Sequence, residues 1–436
     1  MKRFFRFATI IATLILSASV AFAATDRSHI LKVYNWADYI DEDLLDEFED
    51  WYYEQTGEEV EIIYQLFDIN ETMLSKIERG HEDYDVVCPS DYIIERMLRA
   101  DLLLPIDRDF GQTPNYIDEN VSPFIRECFS KVDGSGKNVF DYAVGYMWGT
   151  TGILYNTDHV TKEEALTWDV IHNPKFAGKI YMKDAFRDVY APILMYLKQD
   201  EIASGKVTRE ELMYDASDES IALVEEYLTQ GKDLIAGWEA DFGKEQMSKG
   251  NGYINFTWSG DAGWAIEEAA SVGVNLDYVV PKEGSNYWFD GWVIPKYAGN
   301  VKAAKYFINF LCRPDNAIRI SDYIGYVSVI GGEEMLEHQI NSTLYEPIDA
   351  SYFFGEGAEA VCVNPVKYPD YSDIKNCVLM HDTGARTENM LAMWSRVKGD
   401  NANTTSYIIV IVAVIALVAG LIISKNRKKS HKRNRK

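Results

Sequence analysis

The sequence has few of the residues on which most enzymes and metal carriers depend. Its 436 residues include only five cysteines and seven histidines, and no two cysteines have Cys-x-x-Cys spacing. A metal carrier is expected to cluster His, Tyr or Cys ligands, whereas these histidines are scattered. The hydrolase motifs Gly-x-Ser-x-Gly and His-Glu-x-x-His are also absent. We therefore expect no catalytic centre, no metal site and no cofactor.

The cysteines are too few and too widely spaced for a disulfide scaffold in a chain of this length. They are Cys88, Cys128, Cys312, Cys362 and Cys377. Cys312 ends the apolar run YFINFLC, which predicts a small core residue. Cys362 and Cys377 are able to pair in an oxidising compartment. Because the number is odd, at least one thiol is expected to stay free or to pair between chains.

Positive charge is scarce except at the two ends. With three basic residues near the N-terminus and eight near the C-terminus set aside, 32 basic residues face 68 acidic ones. Such a surface repels nucleic acid and attracts cations, although acidity also simply keeps a secreted protein soluble. We expect no nucleic-acid partner.

The two ends indicate export and a membrane anchor. Residues 1–24 have a basic start, an apolar run and small residues at the end, which is typical of a cleaved signal peptide. Residues 407–423 carry no charge and are just long enough for a transmembrane helix. The tail, 424–436, holds eight basic residues and no acid, which predicts a cytoplasmic location. The part between is expected to lie outside the cytoplasm, in a periplasm or on the outer face of the membrane.

Strands and helices alternate after the leader. LKVYNW predicts a strand, and DEDLLDEFEDWYYEQTG predicts a helix that ends at Gly57; its shared apolar face is Leu44, Leu45, Phe48 and Tyr52. EVEIIYQ is strand-like, and NETMLSKIERG predicts a helix capped by its Asn. This alternation favours an α/β protein with a largely parallel sheet, long enough for two domains.

Several predicted strands run into loops that combine aromatic residues with acids or hydroxyls. In open α/β sheets, ligands bind at such strand ends. Carboxylates accept hydrogen bonds from ammonium groups, and aromatic faces hold both cations and methylenes, so the combination suits an aliphatic polyamine. Taken singly, each Trp is equally typical of a core, and an Asp of a helix terminus. The loop residues are Trp36, Tyr39, Ser90, Tyr92, Asp184, Asp188, Trp258, Asp261, Trp288 and Asp290.

Eight motifs, in order and with similar spacing, resemble those of the periplasmic spermidine- and putrescine-binding proteins of ABC transporters. They are NWADYI, NETM, VVCPSDY, YMWGTTGILYN, DAFRDV, TWSGDAGW, PKEGSNYWFD and IGYVS, within residues 31–398. The resemblance implies a two-lobe periplasmic-binding-protein-like fold of type II, with the ligand cleft between the lobes. The implied boundaries are 30–150 with 289–336 for lobe 1, and 151–288 with 337–400 for lobe 2.

The resemblance also implies a role for each candidate residue. The aromatic box would be Trp36, Tyr39, Tyr92, Trp258, Trp288 and Tyr326. Asp290 would bind an amine in the middle of the cleft, Asp184 and Asp188 a terminal amine, and Ser90 would be a polar side contact. Asp261 is similar to an acid of putrescine-preferring relatives, whereas the pair Asp184 and Asp188 is more like spermidine-preferring ones. Ala37 stands where relatives usually carry Thr or Ser, so the preferred polyamine is left open.

The predicted protein is the substrate-binding component of a polyamine importer, a monomer that closes its lobes on the ligand and delivers it to an ABC permease with its ATPase. The alternative from another class is an extracytoplasmic hydrolase, because paired carboxylates beside aromatic platforms also occur in glycosidases. Receptors for other solutes share the two-lobe form.

Overall fold

A computed structural model describes residues 27–240 and 242–399. The predicted signal peptide, transmembrane helix and basic tail lie outside these residues. Among the residues that are described, none of the helices has the length and apolar character needed to cross a membrane.

Twelve strands are present in the described part of the chain. They are β1 (Ile30–Trp36), β2 (Glu61–Phe67), β3 (Val86–Val87), β4 (Leu103–Leu104), β5 (Ala143–Asn156), β6 (Ile180–Lys183), β7 (Ile235–Glu239), β8 (Ile254–Trp258), β9 (Leu276–Val279), β10 (Ser285–Pro295), β11 (Val327–Ser328) and β12 (Cys377–Leu379).

The α-helices alternate with these strands. They are α1 (Asp43–Thr56), α2 (Asn70–Glu78), α3 (Asp91–Arg99), α4 (Tyr116–Asn120), α5 (Pro123–Lys131), α6 (Lys162–Ala165), α7 (Phe186–Leu197), α8 (Gln199–Ala203), α9 (Arg209–Tyr214), α10 (Asp218–Gly231), α11 (Phe242–Ser248), α12 (Ser259–Val272), α13 (Val301–Leu311), α14 (Pro314–Ile324), α15 (Glu333–Gln339), α16 (Ser351–Phe354), α17 (Tyr371–Ile374) and α18 (Thr387–Lys398).

The first predicted elements are confirmed. Helix α1 buries Leu44, Leu45, Phe48 and Tyr52 on one face, and it ends at Gly57, whose φ of 73° is the left-handed conformation that glycine adopts readily. Strand β1 joins β2 and β3 in parallel, as the strand–helix–strand order predicts.

The sheet is mixed, so the expectation of a largely parallel sheet is wrong in its centre. The order is β2-β1-β3-β10-β5-β8-β6-β7. Strands β1, β2 and β3 form one parallel group, and β6, β7 and β8 form another. Between them lie β5 and β10, which are antiparallel to each other and to the group that each adjoins. Two parallel groups are therefore joined by an antiparallel pair.

Strand β5 connects the two halves of the sheet. Its first part, from Ala143 to Thr150, pairs with β10, and its second part, from Thr151 to Tyr155, pairs with β8. All fourteen of its residues are buried. The change of partner falls at 150/151, where the sequence predicts the boundary between lobes.

Residues 337–400, predicted to belong to lobe 2, contact both groups. Helix α18 packs on α10, whereas α16 packs on α5. The ring of Phe353 in α16 stacks on Trp148, with 5.4 Å between the ring centroids. The assignment of this whole segment to one lobe stays a prediction.

All five cysteines are free thiols. Cys312 is buried, as predicted for a core residue. Cys362 and Cys377, which the sequence allows to pair, are not joined by a disulfide; Cys377 lies in β12 beside β10.

Candidate functional site

The stretch YWFDGW lies inside strand β10, and the expectation that it forms a strand-end loop is wrong. All eleven residues of β10 are buried, because the strand runs through the middle of the sheet. Trp288 and Asp290 are two residues apart and therefore point to the same face. Phe289 points to the other face, where its ring stacks on Phe129 at 4.2 Å. The register shifts between Asp290 and Gly291, which marks an irregularity beside the acid.

Asp290 is held by two hydroxyl donors from separate loops. Ser90 Oγ donates to Oδ1 at 2.6 Å, and the Tyr39 hydroxyl donates to Oδ2 at 2.8 Å. The residue is 7% exposed. Burial raises the pKa of Asp290 to about 6, aided by the charge of Asp188, while the two hydrogen bonds limit the rise. The carboxylate is therefore positioned and ionisable, but costly to keep charged without a cation.

Asp188 is the second buried acid that the structure brings to this place. It lies in the first turn of α7, and its Oδ1 accepts hydrogen bonds from Thr151 Oγ1 at 3.1 Å and Asn286 Nδ2 at 3.0 Å. Burial raises its pKa, against these bonds and one from Trp258. Neither Asp188 nor Asp290 forms an ion pair within residues 27–240 and 242–399.

Four of the predicted aromatic residues form a continuous series. Trp258 meets Trp288 edge-on with 6.4 Å between centroids, Trp288 lies 5.8 Å from Tyr326, and Tyr326 lies 5.5 Å from Tyr39. The series joins the end of β8 to the hydroxyl that holds Asp290. These rings supply the faces that hold cations and methylene chains.

Two glycines make room for these rings. A Cβ on Gly149 of β5 would lie 2.7 Å from the Trp288 ring, and one on Gly260 of α12 would lie 2.6 Å from the Tyr326 ring. Both distances are too short for any side chain without displacing the ring.

Asn70 belongs to the site, although its sequence context predicts a helix cap. It is the first residue of α2 rather than the cap, which is Ile69. Its Nδ2 donates to Ser90 Oγ and to the Tyr92 hydroxyl, both at 3.0 Å. The available sequence signal was its place in the motif NETM.

Two predicted residues have their described contacts elsewhere. The Trp36 indole N–H donates to the Cys88 carbonyl at 2.9 Å, and its ring packs on Phe67. Asp184 is exposed; Trp394 donates to its Oδ1 at 2.7 Å and Lys398 to its Oδ2 at 2.8 Å. Asp184 therefore already has a lysine and an indole partner, and its action as a pair with Asp188, which the resemblance implied, stays a prediction.

Asp261 already has cationic partners in the chain. Lys183 Nζ lies 2.6 Å from Oδ2, Lys244 Nζ lies 3.2 Å from Oδ1, and the Tyr326 hydroxyl donates to Oδ1 at 3.0 Å. Burial opposes ionisation of this acid, but the two lysines outweigh it and lower its pKa. No sequence signal marked Lys183.

Arg187 lies over Tyr92, the remaining predicted aromatic residue, with its guanidinium carbon 4.2 Å from the ring centroid. Its Nε is 3.8 Å from Glu71, and its Nη2 donates to Thr387 Oγ1 at 3.0 Å.

Asp91, next to Tyr92 in the chain, is a further buried acid. Burial raises the pKa of Asp91 well above the usual range, and its carboxyl group accepts hydrogen bonds from the backbone N–H groups of Tyr92 and Phe289.

The arrangement suits binding of a small cation. Two buried carboxylates that form no ion pair among the described residues lie beside a series of aromatic faces, and hydroxyl and amide donors fix the carboxylates in place. A cation with apolar methylenes satisfies both features, because the charge compensates the acids and the chain contacts the rings.

Comparison with known proteins supports this assignment. A family model described as bacterial extracellular solute-binding protein matches residues 43–333. The putrescine-binding periplasmic protein PotF of Escherichia coli is 30% identical over 355 residues, which are 78% of this chain and 89% of PotF. The spermidine/putrescine-binding periplasmic protein of the same organism is 27% identical over 388 residues, covering 88% and 95%.

A solved structure shows the same architecture. The putative spermidine/putrescine ABC transporter from Listeria monocytogenes matches with a TM-score of 0.67 and 28% identity, covering 85% of this chain and 99% of the other. These comparisons confirm the resemblance that the motifs predict and the α/β periplasmic-binding-protein-like fold. Proteins of this kind bind solutes for transport and are not enzymes, so the hydrolase alternative is wrong. The chain belongs to the bacterial extracellular solute-binding protein family.

Proposed function

We propose that this chain is the substrate-binding component of a polyamine ABC importer and that it binds putrescine, spermidine or both. One observation carries the proposal: Asp290 is buried beside Trp288, held by Ser90 and Tyr39, and has no cationic partner among the described residues. A buried carboxylate in this state is stabilised by an incoming ammonium group. The names of the two Escherichia coli relatives point to the same ligand class.

The mechanism is closure of two lobes around the ligand. The predicted lobes, 30–150 with 289–336 and 151–288 with 337–400, meet at the place where β5 changes its pairing partner. Ser90 and Asp290 come from lobe 1, and Asp188 and Trp258 come from lobe 2. A ligand contacting both sets favours the closed form, since binding shifts an equilibrium by the difference in affinity for its two states.

The closed, loaded monomer then docks on a membrane permease with its ATPase. We place the protein outside the cytoplasm after removal of residues 1–24. The two Escherichia coli relatives are named as periplasmic proteins. We further propose that residues 407–423, outside the described residues, anchor it in the membrane and that 424–436 face the cytoplasm. Such a tether keeps the receptor near its permease and raises its effective concentration there.

The test is isothermal titration of the purified full chain with putrescine, spermidine, cadaverine and a neutral sugar. We expect at least one polyamine to bind and the sugar not to bind. Asp290→Asn should weaken polyamine binding at least 100-fold, because it removes a charge that pairs with the ligand in a desolvated site.

Asp50→Asn is the matched control, since Asp50 is an exposed acid in α1. It should bind polyamines as the wild type does. Failure of every polyamine to bind a folded, monodisperse sample would refute the proposal, and so would equal binding by the Asp290 variant.

A further inference from the structure

The ammonium group of Lys183 occupies a fully formed amine-binding site inside the protein. Its Nζ lies 3.9 Å from the centroid of the Trp258 ring and 2.6 Å from Asp261 Oδ2. Glu239 Oε2 is 3.7 Å away, and the Ala240 carbonyl accepts a hydrogen bond from the same nitrogen. An aromatic face, a carboxylate and a carbonyl are the groups that would bind a ligand ammonium.

The fold builds this arrangement into the sheet. Lys183 is the last residue of β6, and Trp258 is the last residue of β8, which pairs with β6 in parallel. Asp261 follows in the first turn of α12. The Lys183 side chain is only 1% exposed. A buried ammonium is costly unless several groups compensate it, so this lysine is not an incidental surface residue.

These contacts show which of the neighbouring acids already have a positively charged partner. Asp261 is compensated by Lys183 and Lys244, and Asp184 is turned to the surface, where it pairs with Lys398. Asp91, Asp188 and Asp290 remain as buried acids without an ion pair in the described residues; Asp91 accepts two backbone N–H groups, and the charge of Lys183 acts on Asp188 without direct contact. The site thus offers the carboxyl groups of Asp188 and Asp290 to ligand ammonium groups beside the aromatic series.

We infer that Lys183 determines specificity: its ammonium takes the place of one ligand ammonium between Trp258 and Asp261, and it restricts the site to linear diamines in preference to triamines. This inference rests on the proposed polyamine-binding function and names the ligand class within it. A third ligand ammonium would either displace Lys183 from Trp258, Asp261, Glu239 and the Ala240 carbonyl or lie beside it, and like charges in a buried site repel strongly.

The test compares putrescine with spermidine by isothermal titration of the full chain. The wild type should bind putrescine more tightly. Lys183→Met keeps the length and removes the charge, which leaves Asp261 with Lys244 at Oδ1 and opens its Oδ2 to a third ligand ammonium. The ratio of the two dissociation constants should then shift at least tenfold toward spermidine.

A double variant identifies the cause of that shift. In Lys183→Met with Asp261→Asn, the vacated site carries no acid from Asp261, so most of the shift should be lost. If Lys183→Met does not fold, Lys183→Gln serves instead, because it also removes the charge and retains a donor for the Ala240 carbonyl.

The outcomes are distinguishable. An unchanged ratio in a folded single variant, tighter binding of spermidine by the wild type, or a full shift that persists in the double variant would each overturn the role of Lys183 while leaving polyamine binding intact. Wild-type protein that binds neither polyamine would overturn the proposed function and this inference together.

Discussion

At the scale of single residues, the raised pKa of Asp290 couples ligand binding to pH. Its ordinary value is 3.8, and burial raises it to about 6 in the folded chain. The folded protein therefore holds this proton more tightly than the unfolded chain does. Ionisation of Asp290 without a ligand destabilises the fold, and a bound cation reverses that effect.

This coupling predicts how stability depends on pH without ligand. The stabilising contribution of the Asp290 proton is fully present below about pH 4 and is lost as the pH rises through about 6. The loss amounts to about 3 kcal/mol in the free energy of unfolding, because each pKa unit corresponds to about 1.4 kcal/mol. Denaturant titrations of the wild type and of Asp290→Asn between pH 4 and pH 7 measure it.

Because the two proteins differ only at Asp290, the difference between their stability profiles reports this residue and not the other titrating groups. With putrescine present, the wild type should recover stability above pH 6, where the acid is ionised, and Asp290→Asn should not. Parallel pH profiles for the two proteins would contradict the assigned pKa.

At the scale of elements, strand and helix geometry places the aromatic rings. The period of two along β10 directs Trp288 and Asp290 to the site and Phe289 into the core. Helix α12 presents two glycines with different surroundings: Gly260 faces the Tyr326 ring at short distance, whereas a Cβ on Gly263 would meet nothing within 4 Å. Replacing each glycine by alanine therefore tests the contact with Tyr326 against a control in the same helix.

Gly260→Ala should weaken polyamine binding about tenfold or more, because the added methyl group pushes Tyr326 away from Asp261 and Trp288. Overpacking of this kind typically costs about 1 to 3 kcal/mol. Gly263→Ala should bind normally and unfold at the same or a higher temperature, since Ala favours helix more than Gly does. Isothermal titration and thermal unfolding of both variants check this, and equal affinities would contradict the role of Tyr326.

The sequence predicts those elements whose signal is local. The apolar face of α1 and its glycine stop need only neighbouring residues, and both are found. The sequence of YWFDGW indicates a loop and not a strand, because a strand that is buried on both faces shows no alternation of apolar and polar residues. Lys183 gave no signal because its partner Asp261 is 78 positions away, and such an ion pair depends on the pairing of β6 with β8.

The acidic residues show the same difference between local sequence signals and contacts that depend on distant residues. The motifs lead to Asp188 and Asp290, whose charges interact in the structure, and also to Asp184, which is exposed and paired with Lys398. Sequence spacing places Asp184 and Asp188 one helical turn apart, but only the packing of α18 supplies Lys398 and Trp394 to hold the former.

At the scale of the whole molecule, polar contacts beyond the site also join the two predicted lobes. Arg99, at the end of α3, pairs with Asp382, and Glu95 of the same helix meets His381 Nδ1 at 2.8 Å. Arg187 of α7 faces Glu71 of α2. Under the proposed lobe closure, these contacts belong to the closed form and stabilise it.

Ligand should therefore make the protein more compact in solution. Small-angle X-ray scattering of the wild type is expected to give a smaller radius of gyration with saturating putrescine than without it, because the ligand compensates acids from both lobes. Asp290→Asn at the same putrescine concentration should keep the larger value. A radius that ligand does not change in the wild type would contradict closure on binding.

The continuous strand β5 limits how this architecture can change. Successive side chains in a strand alternate between faces, so inserting or deleting one residue near Thr150 and Thr151 would turn every later side chain of β5 to the opposite face. The β5 residues that pair with β8 and β9 would then direct their side chains to the wrong face of that part of the sheet. Surface loops can gain or lose residues one at a time, but here a change of one residue requires a bulge to absorb it, like the irregularity between Asp290 and Gly291 in the pairing of β10 with β5.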